Sequence, residues 1–402
     1  METFKTRERT PDRAREFPSV PTASSPFDEK HGDSLTNRIF SPNALPQDNP
    51  MKVGLVSYPT LFQNEGGLQV QVRETQVALQ KLGIDVKILD TTRDDFSDFS
   101  IIHVFSVQHG NVKLVEQARA KGCKVVLSSL LNPAFVIDAP LRLALIHSLE
   151  SLISRISGYK VKTDLRSVHS ALSSADHIIA LGNWERDVIN KSFGTGFKRV
   201  SVVPNGISKQ FFEPDKAAFH AEYDVTGPFV FYPGQISSWK NQLTLVRALA
   251  GTNITVVLAG PLHGKSRATL DACLAVPAAK VVYLGNLDRT SPTFSGAYAA
   301  ASALVMPSKA EAAPLVALES LAAGTPAIIT RDNGLDLQPD GYCLRVVDPF
   351  DVRAIRETVL EVLADRPDPM DCRAKVESMS WDRVAVQIAN IYSSLHPAYT
   401  AT

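Results

Sequence analysis

The sequence predicts an α/β chain of two doubly wound parallel-sheet units in tandem, facing each other across a cleft. Three observations carry that expectation. The chain has 402 residues with 44% apolar side chains, enough to fill more than one core. From residue 51 onward, short β-branched runs alternate with stretches of helical apolar spacing, as in parallel sheets covered by helices on both faces. Near "VVPNGIS", 202–208, the alternation pauses and then begins again.

Residues 1–50 are a different material. "TPDRAREFPSVPTASSPFDEKHGDSL" is rich in proline, serine and charge, and its apolar residues follow no period. A disordered extension is expected, because so little apolar area cannot offset the entropy of ordering the chain. A true start at Met51 and a native functional tail both fit this composition. The first unit, 51–206, is expected to open with the strand "KVGLVSY" (52–58). The helix "LQVQVRETQVALQKLG" (68–83) follows, with Val72, Gln76, Leu79 and Leu82 on one stripe and Gly83 as its stop. "DVKILD", "IIHVFS", "KVVLSSLL", "HIIALG" and "RVSVVP" read as the remaining strands. In the second unit, 207–380, "PFVFYPG" leads to the helix "NQLTLVRALA", then to "ITVVLAG" and "KVVYLGN". A helix around "GAYAAAS", the strand "ALVMPS", a helix from Pro314 and the strand "PAIITR" complete it. Residues 381–402 read as a closing helix.

Several classes of protein fall away on composition. Net charge is zero, which gives no footprint for nucleic acid. Four scattered cysteines, Cys123, Cys273, Cys343 and Cys372, form no CxxC and suggest reduced thiols rather than a disulfide framework. No run of 18 apolar residues suggests a transmembrane helix, and the N-terminus lacks the apolar core of a signal peptide. The expected compartment is the cytoplasm.

Three stretches invite a chemical reading, and each also has an ordinary one. In "PSKAEAAPLVALESLAAGTPAIIT", 307–330, Pro314 suits the first turn of a helix that stops at Gly324. Glu311 then lies over that helix's N-terminus, Glu319 lies inside it, and the free amides near Leu315 and Val316 form an anion site. The same positions equally suit Glu311 as a complement to the helix dipole and Glu319 as a solvated helix residue. In "YPGQISSWKNQLTLVRALA", a strand ends at Gly234 and Lys240 stands just before a helix, where its charge does not help the helix itself. That arrangement fits a phosphate cradle or a solvated loop lysine. In "NEGGLQVQVRE", Gly66 and Gly67 after the first strand allow a close backbone approach to a ligand, or simply make a turn.

Taken together, the glycine pair, "VVPNGIS", "GQISSWKNQLTLVRAL" and two glutamates separated by seven residues resemble the retaining glycosyltransferases of family 4. The ending "SWDRVAVQIANIYSSL" is similar to that family's C-terminal helix, which crosses back to the first domain. The strands "IIHVFS" and "KVVLSSLLNP" look like those of bacterial polysaccharide-biosynthesis members. The resemblance implies the GT-B fold, with two Rossmann-like domains. The domain 51–206 takes the acceptor, the domain 207–380 takes the nucleotide-sugar donor, and 381–402 crosses back.

The resemblance also implies roles for particular residues. Lys240 would hold the donor diphosphate, with amides near Leu315 and Val316 on a phosphate and Gly67 approaching from the other domain. Glu319 would bind the ribose, Glu311 would meet the sugar near its reacting carbon, and the backbone around Leu287 would edge the nucleobase. The implied activity moves a sugar from a nucleotide-diphosphate sugar to a glycan or lipid-linked acceptor with retention. It needs no cofactor and no metal, and no Asp-x-Asp occurs. Two departures stand out. Gln235 occupies a place where the family commonly has arginine, and Ser129 stands where a histidine is frequent. His103, His109 and Ser129 are therefore acceptor-side candidates, each also readable as structural. These departures keep a second class open: a non-catalytic GT-B protein that binds a sugar nucleotide or glycan as an assembly partner. A nicotinamide-dependent oxidoreductase suits the alternation but lacks GxGxxG after the first strand. The stretch "LRLALIHSLESLISRISGYK", 141–160, is amphipathic and fits either packing on its own sheet or contact with the inner face of the cell membrane.

Overall fold

A computed structural model of the chain describes residues 51–63, 66–133, 145, 149, 164–193, 200–264 and 266–396. The expected 1–50 extension lies outside the described residues, as does the 141–160 stretch apart from Leu145 and Leu149.

The first sheet holds β1 (Lys52–Val56), β2 (Asp85–Ile88), β3 (Ile101–Phe105), β4 (Lys124–Ser128), β5 (His177–Ala180) and β6 (Val200–Val202). Their order is β2-β1-β3-β4-β5-β6 and every pair is parallel. Helix α1 (Gly67–Lys81) follows β1, α2 (Val112–Ala120) follows β3, and α3 (Asp164–Ser174) and α4 (Asn183–Ser192) flank β5. β3 is buried at every position, which is why its sequence shows no alternation, with His103 its one polar residue.

In the second sheet the strands are β7 (Phe229–Pro233), β8 (Thr255–Ala259), β9 (Lys280–Tyr283), β10 (Ala303–Met306), β11 (Ala327–Thr330) and β12 (Leu344–Val347). They are again all parallel, in the order β12-β11-β10-β7-β8-β9. Around them lie α5 (Lys216–Glu222), α6 (Gln242–Leu249), α7 (Ser266–Leu274), α8 (Pro292–Ala300), α9 (Leu315–Ala322), α10 (Val352–Ala364) and α11 (Pro369–Ala374). Both sheets belong to the compact unit that spans Pro46–Thr402.

Some expectations need adjusting. β12 escapes the apolar-run criterion because it is an edge strand: Leu344 and Val347 are buried while Val346 faces out. Pro314 caps α9 from outside instead of opening it. On α1, Val72 and Leu79 are buried as expected, but so are Gln69, Gln71 and Thr75, whereas Gln76 and Leu82 are only half-buried. The helix is covered on two sides, because it packs on both β2 and the last helix, α12 (Trp381–Leu395).

That last helix is anchored to the first sheet. Lys81 and Asp382 pair at 3.0 Å, and the Tyr392 hydroxyl lies 2.7 Å from His103 Nδ1 in the core. Where the chain leaves β6, a Cβ on Gly206 would sit 2.6 Å from the Trp381 backbone, so only glycine allows this approach. The Ile207 amide donates to the Met379 carbonyl at 2.8 Å and ties the same junction. All four cysteines are buried and free. Among the described residues, no helix is long and apolar enough to cross a membrane.

Candidate active site

A cavity opens beyond the carboxyl ends of β7, β8 and β10, where open α/β sheets hold their ligands. Gly67, Gln235, Lys240, Leu287, Glu311, Leu315 and Val316 all line it, brought together from five separate loops or helix starts. Glu319 sits just behind the wall, buried.

The loop before α6 is stitched to the loop after β10. Trp239 Nε1 donates to the Ala310 carbonyl at 3.1 Å, and the Lys309 amide donates to the Trp239 carbonyl at 3.0 Å. Asn241, in the left-handed region with φ 62, donates from Nδ2 to the carbonyls of Pro307 and Pro349. The buried Tyr232 hydroxyl donates to the Lys240 carbonyl. This stitching places Lys240 Nζ 2.7 Å from Glu311 Oε1. The Glu311 backbone is clamped in turn: its amide donates to the Asp332 carbonyl at 2.9 Å and its carbonyl accepts from the Gly334 amide at 3.0 Å. The 332–336 loop leans on the first half of the chain. A Cβ on Gly182 would lie 2.8 Å from the Gly334 carbonyl, and Asn183 Nδ2 donates to Asp336 at 2.7 Å.

Glu319 has two partners. Tyr298 donates its hydroxyl to Oε2 at 2.6 Å, and Arg289 pairs with Oε1. Burial, then the Glu319 charge, pushes the Tyr298 hydroxyl well above its ordinary range, so it stays a donor. Arg289 also lines the cavity, with its guanidinium carbon 5.0 Å from the centre of the Phe294 ring. Sequence reasoning missed this residue, although it had a signal. Arg289 stands two residues before Ser291, the N-cap of α8, and a cation there is as unhelpful to its helix as Lys240 is to α6.

Two helix starts meet at the cavity. Ala317 donates to the Pro314 carbonyl at 3.2 Å, so Leu315 and Val316 carry the leading amides of α9. Across from them is the start of α1, where a Cβ on Gly67 would lie 3.7 Å from Leu315 Cδ1. Both helices therefore point their partial positive ends at one space.

The acceptor-side candidates separate. His103 is fully buried between Tyr392 and Ser128 Oγ, the latter 2.8 Å from Nε2, so it faces the core and not the cavity. Burial, helped by His177, pushes it down to about 3, and the ring stays neutral. Ser129 is also buried. It donates to Glu185 Oε1 at 2.6 Å, and the Leu131 and Leu181 amides donate to the same carboxylate. Burial raises Glu185, and these bonds pull it partly back. His109 alone is exposed, in the left-handed region with φ 57 and its ring 4.5 Å from that of Tyr58.

Two parallel, helix-flanked sheets with a cavity between their facing helix starts define a protein of the GT-B class. The fold is shared with sucrose-phosphate synthase from Thermosynechococcus elongatus. That match has a TM-score of 0.68 at 19% identity and covers 87% of this chain and 100% of that one. Anabaena HepE, solved in complex with UDP and glucose, matches with a TM-score of 0.59 at 15% identity, covering 86% and 100%. Residues 215–379 match the family model described as glycosyl transferases group 1. D-inositol 3-phosphate glycosyltransferase from Pseudarthrobacter chlorophenolicus is 24% identical over 67% of this chain and 75% of its own length. Glycogen synthase from Mycobacterium tuberculosis is 26% identical over 78% and 73%. By these matches the chain resembles the glycosyltransferases of this group.

Proposed function

We propose that the enzyme moves a sugar from a nucleotide-diphosphate sugar to a hydroxyl of a glycan or lipid-linked acceptor, with retention at the anomeric carbon and without a metal ion. The observation that carries this reading is the convergence of the α1 and α9 N-termini on the cavity that Lys240 also lines. Each helix start presents roughly half a positive charge, suited to a leaving diphosphate. HepE, of the same fold, was solved with UDP and glucose, the two parts of such a donor.

In the proposed reaction the bond from the anomeric carbon to the diphosphate oxygen breaks, and a bond to the acceptor oxygen forms on the same face. The leaving phosphate oxygen takes the acceptor's proton. Glu311, held by Lys240 and the 332–334 backbone, sits beside the reacting carbon, and Glu319 accepts from the ribose. Leu287, at the cavity edge, borders the base, and the donor is held mainly by the 207–380 domain. The setting we propose is cell-surface polysaccharide assembly in the cytoplasm, at the inner membrane face. The exposed side chains of Leu145 and Leu149 support a peripheral lipid contact.

Purified protein offered UDP-, GDP- and ADP-sugars with glycan acceptors tests the reading, with the product anomer assigned by NMR. Glu311→Ala and Lys240→Ala are each expected to lose most turnover while keeping the wild-type circular dichroism. Wild-type rates in both would remove the proposed site, and an inverted product would remove the retaining mechanism.

A further inference from the structure

Among the described residues, Lys240 and Arg289 are the two cationic side chains that line the cavity. Lys240 is already engaged with Glu311. Arg289 is engaged with Glu319, but unevenly: the carboxylate side chain keeps 4% of its surface open, the arginine 30%. A residue needed only to neutralise a buried carboxylate has no reason to open onto a ligand cavity. A guanidinium carries five N–H donors in a fixed fork, and one of its terminal nitrogens meets Glu319. The Phe294 ring under the guanidinium sets the plane of that fork. Burial disfavours the charge on Arg289, but Glu319, with Tyr298 and Glu74, more than offsets this and raises its pKa.

We propose that Arg289 binds the donor's diphosphate directly, as a second cation beside Lys240, while its bond to Glu319 orients that carboxylate for the ribose. The inference rests on the nucleotide-diphosphate reading of the site. Planar forks of this kind match phosphate oxygens two at a time. Gln235, exposed on the same cavity wall, contributes no charge of its own. The guanidinium therefore reaches the phosphates from the loop between β9 and α8, on the far side of the sheet from β12.

Removing Arg289 alone strands a buried carboxylate, so the test uses the Glu319→Gln background, in which that carboxylate is already neutral. UDP, GDP and ADP, each with its monophosphate, are titrated calorimetrically into wild type, Glu319→Gln and Glu319→Gln/Arg289→Gln. Loss of the ribose contact weakens mono- and diphosphate alike, so it cancels in the preference for diphosphate over monophosphate. That preference is expected to fall by about tenfold on adding Arg289→Gln, the size of one charge-assisted contact. An unchanged preference would overturn the inference and leave Arg289 as a counter-ion for Glu319. Wild type that binds none of the diphosphates would instead remove the nucleotide reading, and this inference with it.

Discussion

His103 offers a prediction whose size follows from its surroundings. In the fold its ring is neutral, wedged between Tyr392 and Ser128, with its pKa pushed down to about 3. In the unfolded chain the ring is free to protonate near the ordinary value of 6.5. Below that value the unfolded state binds a proton that the native state refuses, so stability is full above 6.5 and declines as pH falls. The loss is about 1.4 kcal/mol per pH unit until the folded pKa is reached. At about pH 5 this amounts to roughly 2 kcal/mol from one side chain. His103→Gln keeps polar atoms near both neighbours and removes the titration. Urea unfolding of both proteins at about pH 7.5 and about pH 5 isolates the term, because the other histidines cancel in the difference. Wild type is expected to lose about 2 kcal/mol more than the variant over that interval. Parallel pH profiles would refute the buried, neutral ring. The same variant bears on catalysis, since an acceptor-side base contributes on the order of a hundredfold or more. A ring sealed in the core predicts a far smaller loss of turnover.

Glu319→Gln is expected to raise the donor KM about tenfold with a smaller change in kcat, because it weakens a bond made in the ground state as well. An unaltered KM would show the ribose assignment to be mistaken. Gly206→Ala drives a methyl into the Trp381 backbone and should cost about 1–3 kcal/mol in denaturant unfolding. A neutral result would mean that the junction is slack. Extensive dialysis against EDTA should leave the initial rate unchanged. A loss that magnesium or manganese restores would overturn the metal-free chemistry.

The fold was legible where burial is two-sided. β7, buried at every position, reads "FVFYP", and β3, β5 and β11 are likewise buried throughout, with one polar residue each (His103, His177 and Thr330). It was illegible at the sheet margin, where the four-residue β12 buries only its two end residues. Seven of the expected donor-side residues line one cavity because each follows a strand end or opens a helix, and such positions are marked by glycine, proline and misplaced charge. The acceptor side left no such mark. His103 sits in the middle of a buried run and Ser129 just past the end of one, and nothing in a run tells whether its polar residue turns to solvent or into a buried network. Arg289 went unnoticed because its carboxylate partner, Glu319, lies thirty residues on and only the folded chain brings the two together.

The anchoring of α12 determines how this enzyme can be recombined. The helix is coded after the second sheet, yet it rests on α1 and reaches His103 of β3. A hybrid built by grafting a foreign second lobe should exchange the segment between Gly206 and Ser380 and keep the tail with its own first lobe. A cut that carries the tail away with the module would unroof the Tyr392 contact and leave the recipient without its outer layer.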